Sequence, residues 1–154
     1  MVHMTLEAKI REHAFAAGLP DSQIALLAGL ASEVTFEEDD IILGDGEQSR
    51  AFYLLLSGSV AVELRAARYV VCVQALGPGQ VFGWSSLLED QDTYFQVRSR
   101  ERTTALRIDG AALHEACKAD PALEAEILRR TLRVVAGRVR ATEIRFAEMC
   151  GLRV

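Results

Sequence analysis

The chain changes period at Val34, and that change constrains its fold more than any other feature. From there to Asp109, short runs rich in β-branched and aromatic residues alternate with turn residues. The runs are Val34–Phe36, Ile41–Leu43, Phe52–Ser57, Ser59–Leu64, Tyr69–Leu76, Gln80–Phe82, Phe95–Arg100 and Thr103–Asp109. Between them stand Gly44-Asp45-Gly46, Gly58, Ala66-Ala67 and Gly77-Pro78-Gly79. Strands of this length with turns at this spacing predict a sandwich or barrel of antiparallel strands.

Both flanks read as helical. In residues 4–31, Leu6, Ile10, Phe15 and Leu19 recur at mixed spacings of three to five. Gly18 and Pro20 break that segment, and Asp21 or Ser22 is expected to cap a second short helix through Ile24–Leu30. After the β-rich region Asp109 can cap a short helix, residues 110–119. Asp120-Pro121 then restarts the chain with an N-cap Asp and Pro at the first helical position. Glu124 and Glu126 suit the positive end of that helix's dipole. The helix is expected to span 120–150 and to end at Gly151. At 154 residues the chain has room for one domain: a helical lead (4–31), a β region (34–109), a short helix and a long one. Folding at this size buries roughly 70% of the unfolded chain's surface, enough for a core without disulfides.

The long helix carries two apolar stripes. Leu128, Leu132, Val135, Val139, Thr142, Phe146 and Met149 recur at alternating spacings of four and three, a heptad seam three repeats long. Leu123, Ile127, Val134 and Ile144 form the second stripe. Packing within one molecule needs a single broad face, so one stripe is expected to cover the β region and the seam to pair two copies as a homodimer. Arg129, Arg130, Arg133, Arg138, Arg140 and Arg145 flank the seam and read as a solvated face.

Several functions are disfavoured. The net charge of -5 argues against a sequence-neutral nucleic-acid binder. No run approaches 18 apolar residues, and the N-terminus lacks a signal-peptide layout, so the expected location is the cytoplasm, with no membrane partner. Cys72, Cys117 and Cys150 are widely spaced and form no C-x-x-C pair; they read as reduced, mostly buried thiols. His3, His13 and His114 are too few and too scattered for a metal-holding barrel, and His114 reads as a surface or half-buried helix residue. Gly77, Gly79 and Gly83 match neither a Walker loop nor a dinucleotide fingerprint. No nucleophile, base and orienting group stand out, so no enzyme activity and no metal are expected.

Three segments carry a resemblance. They are Phe36-Glu37-Glu38-Asp39-Asp40-Ile41-Ile42-Leu43-Gly44-Asp45-Gly46-Glu47, Phe52-Tyr53-Leu54-Leu55-Leu56-Ser57-Gly58-Ser59-Val60 and Leu76-Gly77-Pro78-Gly79-Gln80-Val81-Phe82-Gly83. In this order, with a long helix behind them, they resemble the cyclic-nucleotide-binding domain of the catabolite-activator and fumarate–nitrate-regulator superfamily. The resemblance implies a mainly β fold: an eight-stranded antiparallel β-roll of jelly-roll type, with N-terminal helices and a long C-terminal helix. Asp39 stands where that family usually has glycine, a turn conformation that Asp can also adopt.

The resemblance also locates a ligand site and shows how this chain departs from it. The family's phosphate-binding cassette starts at the glycine matched by Gly83. The glutamate that holds the ribose is replaced by Trp84. The arginine that pairs with the cyclic phosphate falls at Thr93, and Glu89, Asp90 and Asp92 just before it make the local field repulsive to an anion. Arg98, Arg100 and Arg102 follow on or near a strand; one of them could swing back to the site, but strand alternation would put all three on one face, which can be the outer one. A similar Gly-Trp-Ser sequence marks a stand-alone branch of the superfamily. The candidate ligand residues are therefore Gly83, Trp84, Ser85, Ser86, Thr93 and Tyr94. In one reading Trp84 stacks on a flat ligand while Ser85, Ser86 and the amides of a helix N-terminus bind a polar group. In the other, Trp84 and Leu87 fill the vacated cavity. The ligand stays open: a cyclic nucleotide, another small molecule or none. The expected role is a non-enzymatic sensory or regulatory module signalling through its C-terminal helix, to a protein partner where there is one. The alternatives are a ligand-free interaction and dimerisation module, or the effector half of a transcription regulator cut before its DNA-binding module. The sequence ends at Val154, directly after the helix, so direct binding of nucleic acid is not expected.

Overall fold

The computed structural model describes residues 3–88, 93 and 95–153. The lead comprises α1 (Leu6–Glu12), a single 3-10 turn (Ala14–Ala16) and α2 (Asp21–Leu30). Eight strands follow: β1 (Ala31–Phe36), β2 (Ile41–Leu43), β3 (Ala51–Ser57), β4 (Val60–Arg65), β5 (Val70–Leu76), β6 (Val81–Phe82), β7 (Gln96–Ser99) and β8 (Thr103–Asp109). A 3-10 turn, Trp84–Leu87, lies between β6 and β7, and α3 (Gly110–Ala119) and α4 (Pro121–Met149) complete the chain.

The strands form two four-stranded antiparallel sheets, ordered β1-β8-β3-β6 and β2-β7-β4-β5. Their connection is that of a β-roll, and β3 shows why it closes. Successive side chains of a strand point to opposite faces. Phe52 and Leu54 enter a core shared with the helices, including Ile10, Ile24, Leu113 and Ile127. Leu55 points the other way, into the roll interior with Val60, Val62, Leu76, Phe82 and Val97. A strand buried on both faces needs an uninterrupted apolar run, which Ala51–Leu56 supplies.

The helix ends follow local chemistry, with one exception. Asp109 Oδ2 accepts from the Ala112 amide at 3.0 Å, and Asp120 Oδ1 accepts from Ala122 and Leu123 at 3.1 and 3.2 Å. Gly151, at φ 78°, ends α4 with the Leu152 amide bonded back to the Ala147 carbonyl. The exception is α2. It starts after Pro20, with no side-chain cap, and Asp21 lies inside the first turn, where it pairs with Arg11. Neither Asp21 nor Ser22 is a cap, because proline already supplies the dihedral that opens the helix.

Along α4, Leu123 and Ile127 are buried in the shared core and Val134 packs against it. Leu128, Leu132, Val139, Phe146 and Met149 are exposed, Leu132 and Phe146 each to 68%. Thr142 is exposed and Val135 half-buried. The arginines beside this seam are not simply a solvated face. Arg130 donates to the carbonyls of Phe15 and Ala17 at 2.7 Å, Arg138 to that of Val81 at 2.8 Å, and Arg145 to that of Val73. Guanidinium groups two turns apart thus clamp the helix to the lead and the roll. The thiols also differ from expectation: Cys117 is buried, but Cys72 and Cys150 are exposed.

Candidate ligand site between the roll and the long helix

The Gly83 position is built for glycine alone. Its φ is 81°, and a Cβ there would stand 2.4 Å from the Ala51 carbonyl oxygen. The chain can pass this close to β3 only without a side chain. Gly83 thereby launches the Trp84–Leu87 turn toward a cavity of about 270 Å³. The cavity is walled by Leu43, Val62, Phe82, Phe95 and Val97, by Gly83, Trp84, Ser85 and Thr93, and by Arg138 from α4. Phe82 is held in place by stacking on Tyr53, with ring centroids 4.7 Å apart and planes 9° from parallel.

The predicted ligand residues divide. Trp84 is half-buried, packs against the shared core and lines the cavity. Ser85 is buried to 5% exposure, lines the same cavity, and its hydroxyl has no partner among the described residues. Ser86 also has a buried hydroxyl without a partner among the described residues, but it faces a separate cavity beside Gly110 and His114. The two serines do not converge on one ligand. The expected helix N-terminus is a single four-residue 3-10 turn whose Ser86 amide is already bonded to the Gly83 carbonyl. It offers no macrodipole for an anion.

Thr93, at the position of the family's arginine, has a different task. Its hydroxyl lies 3.2 Å from the Gly44 carbonyl and 3.1 Å from that of Glu47, and its backbone exchanges two hydrogen bonds with Gly46 and Glu47. It pins the turn between β2 and β3, and its one donor is spent there. Tyr94, Glu89, Asp90 and Asp92 lie outside the described residues.

None of Arg98, Arg100 and Arg102 replaces the missing one. Val97 faces the roll interior, so Arg98 projects from the outer face. There it forks onto Glu63 at 2.9 and 2.7 Å and reaches Asp39 at 2.5 Å. The Arg98 hydrogen bond holds the Glu63 carboxyl below its ordinary range, although burial opposes this. Arg100 is exposed beyond the end of β7, and Arg102 lies 3.8 Å from Glu37. The three do not share a strand face, because the chain turns after Ser99.

The cation at the cavity is Arg138, not a member of the solvated flank that the arginine pattern predicts. One signal was available. Arg138 falls four residues after Val134 and seven plus four after Ile127, in line with the stripe that covers the roll. A charge inside a buried stripe is a functional flag. Its guanidinium donates to the Val81 carbonyl, no carboxylate among the described residues pairs with it, and burial pushes its pKa down to about 10. Among the described residues no group of three or more His, Cys, Asp or Glu is placed to hold a metal, and no helix is long and apolar enough to cross a membrane.

Residues 33–120 match the family described as the cyclic nucleotide-binding domain. The chain belongs to that family. The domain is similar to a solved protein of Geobacter metallireducens GS-15 named for cyclic-nucleotide binding, with 26% identity, a TM-score of 0.77, and 89% of this chain and 99% of that one covered. It shares its fold with a cyclic nucleotide-binding domain from Methylobacillus flagellatus KT, at 18% identity, TM-score 0.79 and coverages of 94% and 82%. It also shares it with the regulatory subunit of a cAMP-independent protein kinase A from Trypanosoma brucei, at 20% identity, TM-score 0.69 and coverages of 91% and 48%. No curated protein matches the chain.

Proposed function

We propose that the protein is a non-enzymatic regulatory module with an atypical ligand site, signalling through α4. The observation that carries this reading is that one cavity has walls from both the roll and α4, with Arg138 the contribution of the helix. A ligand that engages Arg138 and the Trp84 turn together changes the differential stability of helix positions on the roll, which is what a population shift requires. The family's regulatory relatives support the role. The exposed seam of α4 supplies the output surface. Leu132, Phe146 and Met149 are too apolar and too aligned for a surface that serves only solvent, and a second copy of the same helix satisfies them by symmetry.

Sedimentation equilibrium of the full chain tests this. The wild type is expected to be dimeric at micromolar concentration, and Phe146→Ala is expected to weaken the dimer by about 1.5–3 kcal/mol, roughly ten- to a hundredfold. A wild type that stays monomeric at high micromolar concentration, with Phe146→Ala unchanged, would overturn it.

A further inference from the structure

The chemistry of the cavity wall selects what the cavity recognises, which rests on the reading that it is a ligand site. Its wall is hydrocarbon and aromatic, from Val62, Phe82, Trp84, Phe95 and Val97. Two polar features interrupt that wall. Arg138 spends one donor on the Val81 carbonyl and has no anionic partner among the described residues. Ser85 is buried with a hydroxyl that meets no partner among the described residues. A guanidinium carries five donors, and the Val81 carbonyl takes one of those of Arg138, which leaves the others available to a ligand. The buried Ser85 hydroxyl, without a partner among the described residues, carries a desolvation penalty. Both are satisfied by one acceptor-rich, negatively charged group placed against an apolar body.

Size and polarity narrow the choice. About 270 Å³ is just below the roughly 300–1,000 Å³ typical of drug-sized ligands, so the occupant is small. A cyclic nucleotide would bring sugar hydroxyls as well as a phosphate. Trp84 stands where an acceptor for those hydroxyls is expected, and Thr93 has committed its donor to the Gly44–Glu47 turn. The described wall cannot satisfy that many polar groups. We propose that the cavity binds a small aromatic or branched monocarboxylate, with its acid group held by Arg138 and Ser85 and its apolar body against Phe82, Trp84 and Phe95.

Trp84 is the chain's single tryptophan, so intrinsic fluorescence reports on the cavity directly. The full chain is titrated with phenylacetate, with its neutral isostere phenylacetamide, and with cAMP and cGMP. Phenylacetate is expected to change the Trp84 emission saturably in the micromolar range, and phenylacetamide to bind at least 30-fold more weakly. Arg138→Gln is expected to lose a similar factor, with Arg138→Lys recovering part of it. Ser85→Ala is expected to lose about fivefold in binding without loss of thermal stability, since its hydroxyl has no partner to lose. Equal binding of the acid and the amide overturns the proposal in the wild type, whether or not Arg138→Gln folds. So does the absence of any saturable acid response below about 1 mM. Saturable cAMP or cGMP binding that phenylacetate does not displace overturns the proposed ligand class and leaves the regulatory reading standing. Tight carboxylate binding with no change in the association of α4 does the reverse.

Discussion

At Asp39 the backbone takes φ 70°, the one non-glycine residue among those described to do so. The Asp40 amide bonds back to the Glu37 carbonyl at 3.1 Å, so Asp39 occupies the position of a tight turn that requires a positive φ. A left-handed conformation costs an ordinary residue about 1–2 kcal/mol. Asp39 offsets part of this through Arg98, although its own side chain is largely exposed and the pair is screened. Asp39→Ala is therefore expected to destabilise the protein by about 1–2 kcal/mol, and Asp39→Gly to lie within about 0.5 kcal/mol of wild type. Urea denaturation measures both, and an Asp39→Ala variant as stable as wild type would refute the strain. The departure from glycine was legible in the sequence. The partner was not, because Arg98 lies 59 residues away, on β7.

Among elements, the lead is tied to the roll through one buried imidazole. His13 Nδ1 accepts from the Phe15 amide at 3.1 Å, and Nε2–H donates to the Leu55 carbonyl at 3.0 Å. This arrangement requires the neutral ring, since a protonated Nδ1 cannot accept. Burial pushes the His13 pKa down, and its carbonyl contacts oppose that only in part. The sign follows from linkage. Below the ordinary histidine pKa of 6.5 the unfolded chain takes up a proton that the folded chain refuses. Stability is thus full above that pH and falls as pH drops below it. Thermal melts between pH 7.5 and 5.5 should show a decline that His13→Gln flattens, even though that variant starts less stable; an unchanged slope would exclude His13 as its source. The same kind of long-range tie explains the arginines of α4. Their acceptors are backbone carbonyls of the lead, β5 and β6, and carbonyls leave no mark in a sequence.

For the whole molecule, the cavity between roll and helix sets what the domain can bind. If Trp84 and Thr93 are what turn a cyclic nucleotide away, restoring the family's side chains should admit one. The double variant Trp84→Glu, Thr93→Arg is expected to bind cAMP with Kd below about 100 μM, roughly -5.5 kcal/mol, where the wild type gives no heat. A folded double variant that still gives no heat in calorimetry would mean that the cavity's volume excludes the nucleotide. Loss of the Thr93 contacts to Gly44 and Glu47 is expected to lower its melting temperature, so circular dichroism accompanies the titration.

What was readable before any coordinates is what short-range chemistry controls. The bounds of β2 to β8 to within one residue, the caps at Asp109 and Asp120, the stop at Gly151 and the two stripes of α4 all follow from residues within a few positions of one another, where period and turn propensity act; β1 starts at Ala31, three residues before the expected Val34, because pairing with distant β8 extends it. The β-roll itself was legible through three glycine-marked segments, because Gly58 and Gly83 occupy backbone conformations and close approaches that only glycine permits. The site was legible in outline only. Sequence marks Trp84 and Thr93 as losses and the stripe flags Arg138, but neither shows that Ser85 and Ser86 part company, that Thr93 clamps a turn, or which cavity Arg138 enters, 55 residues downstream of Gly83. Those facts depend on how α4 seats against the roll. Seating is decided by the summed packing of Leu123, Ile127 and Val134 and by bonds to distant carbonyls. It is a property of the tertiary structure, and no local pattern encodes it.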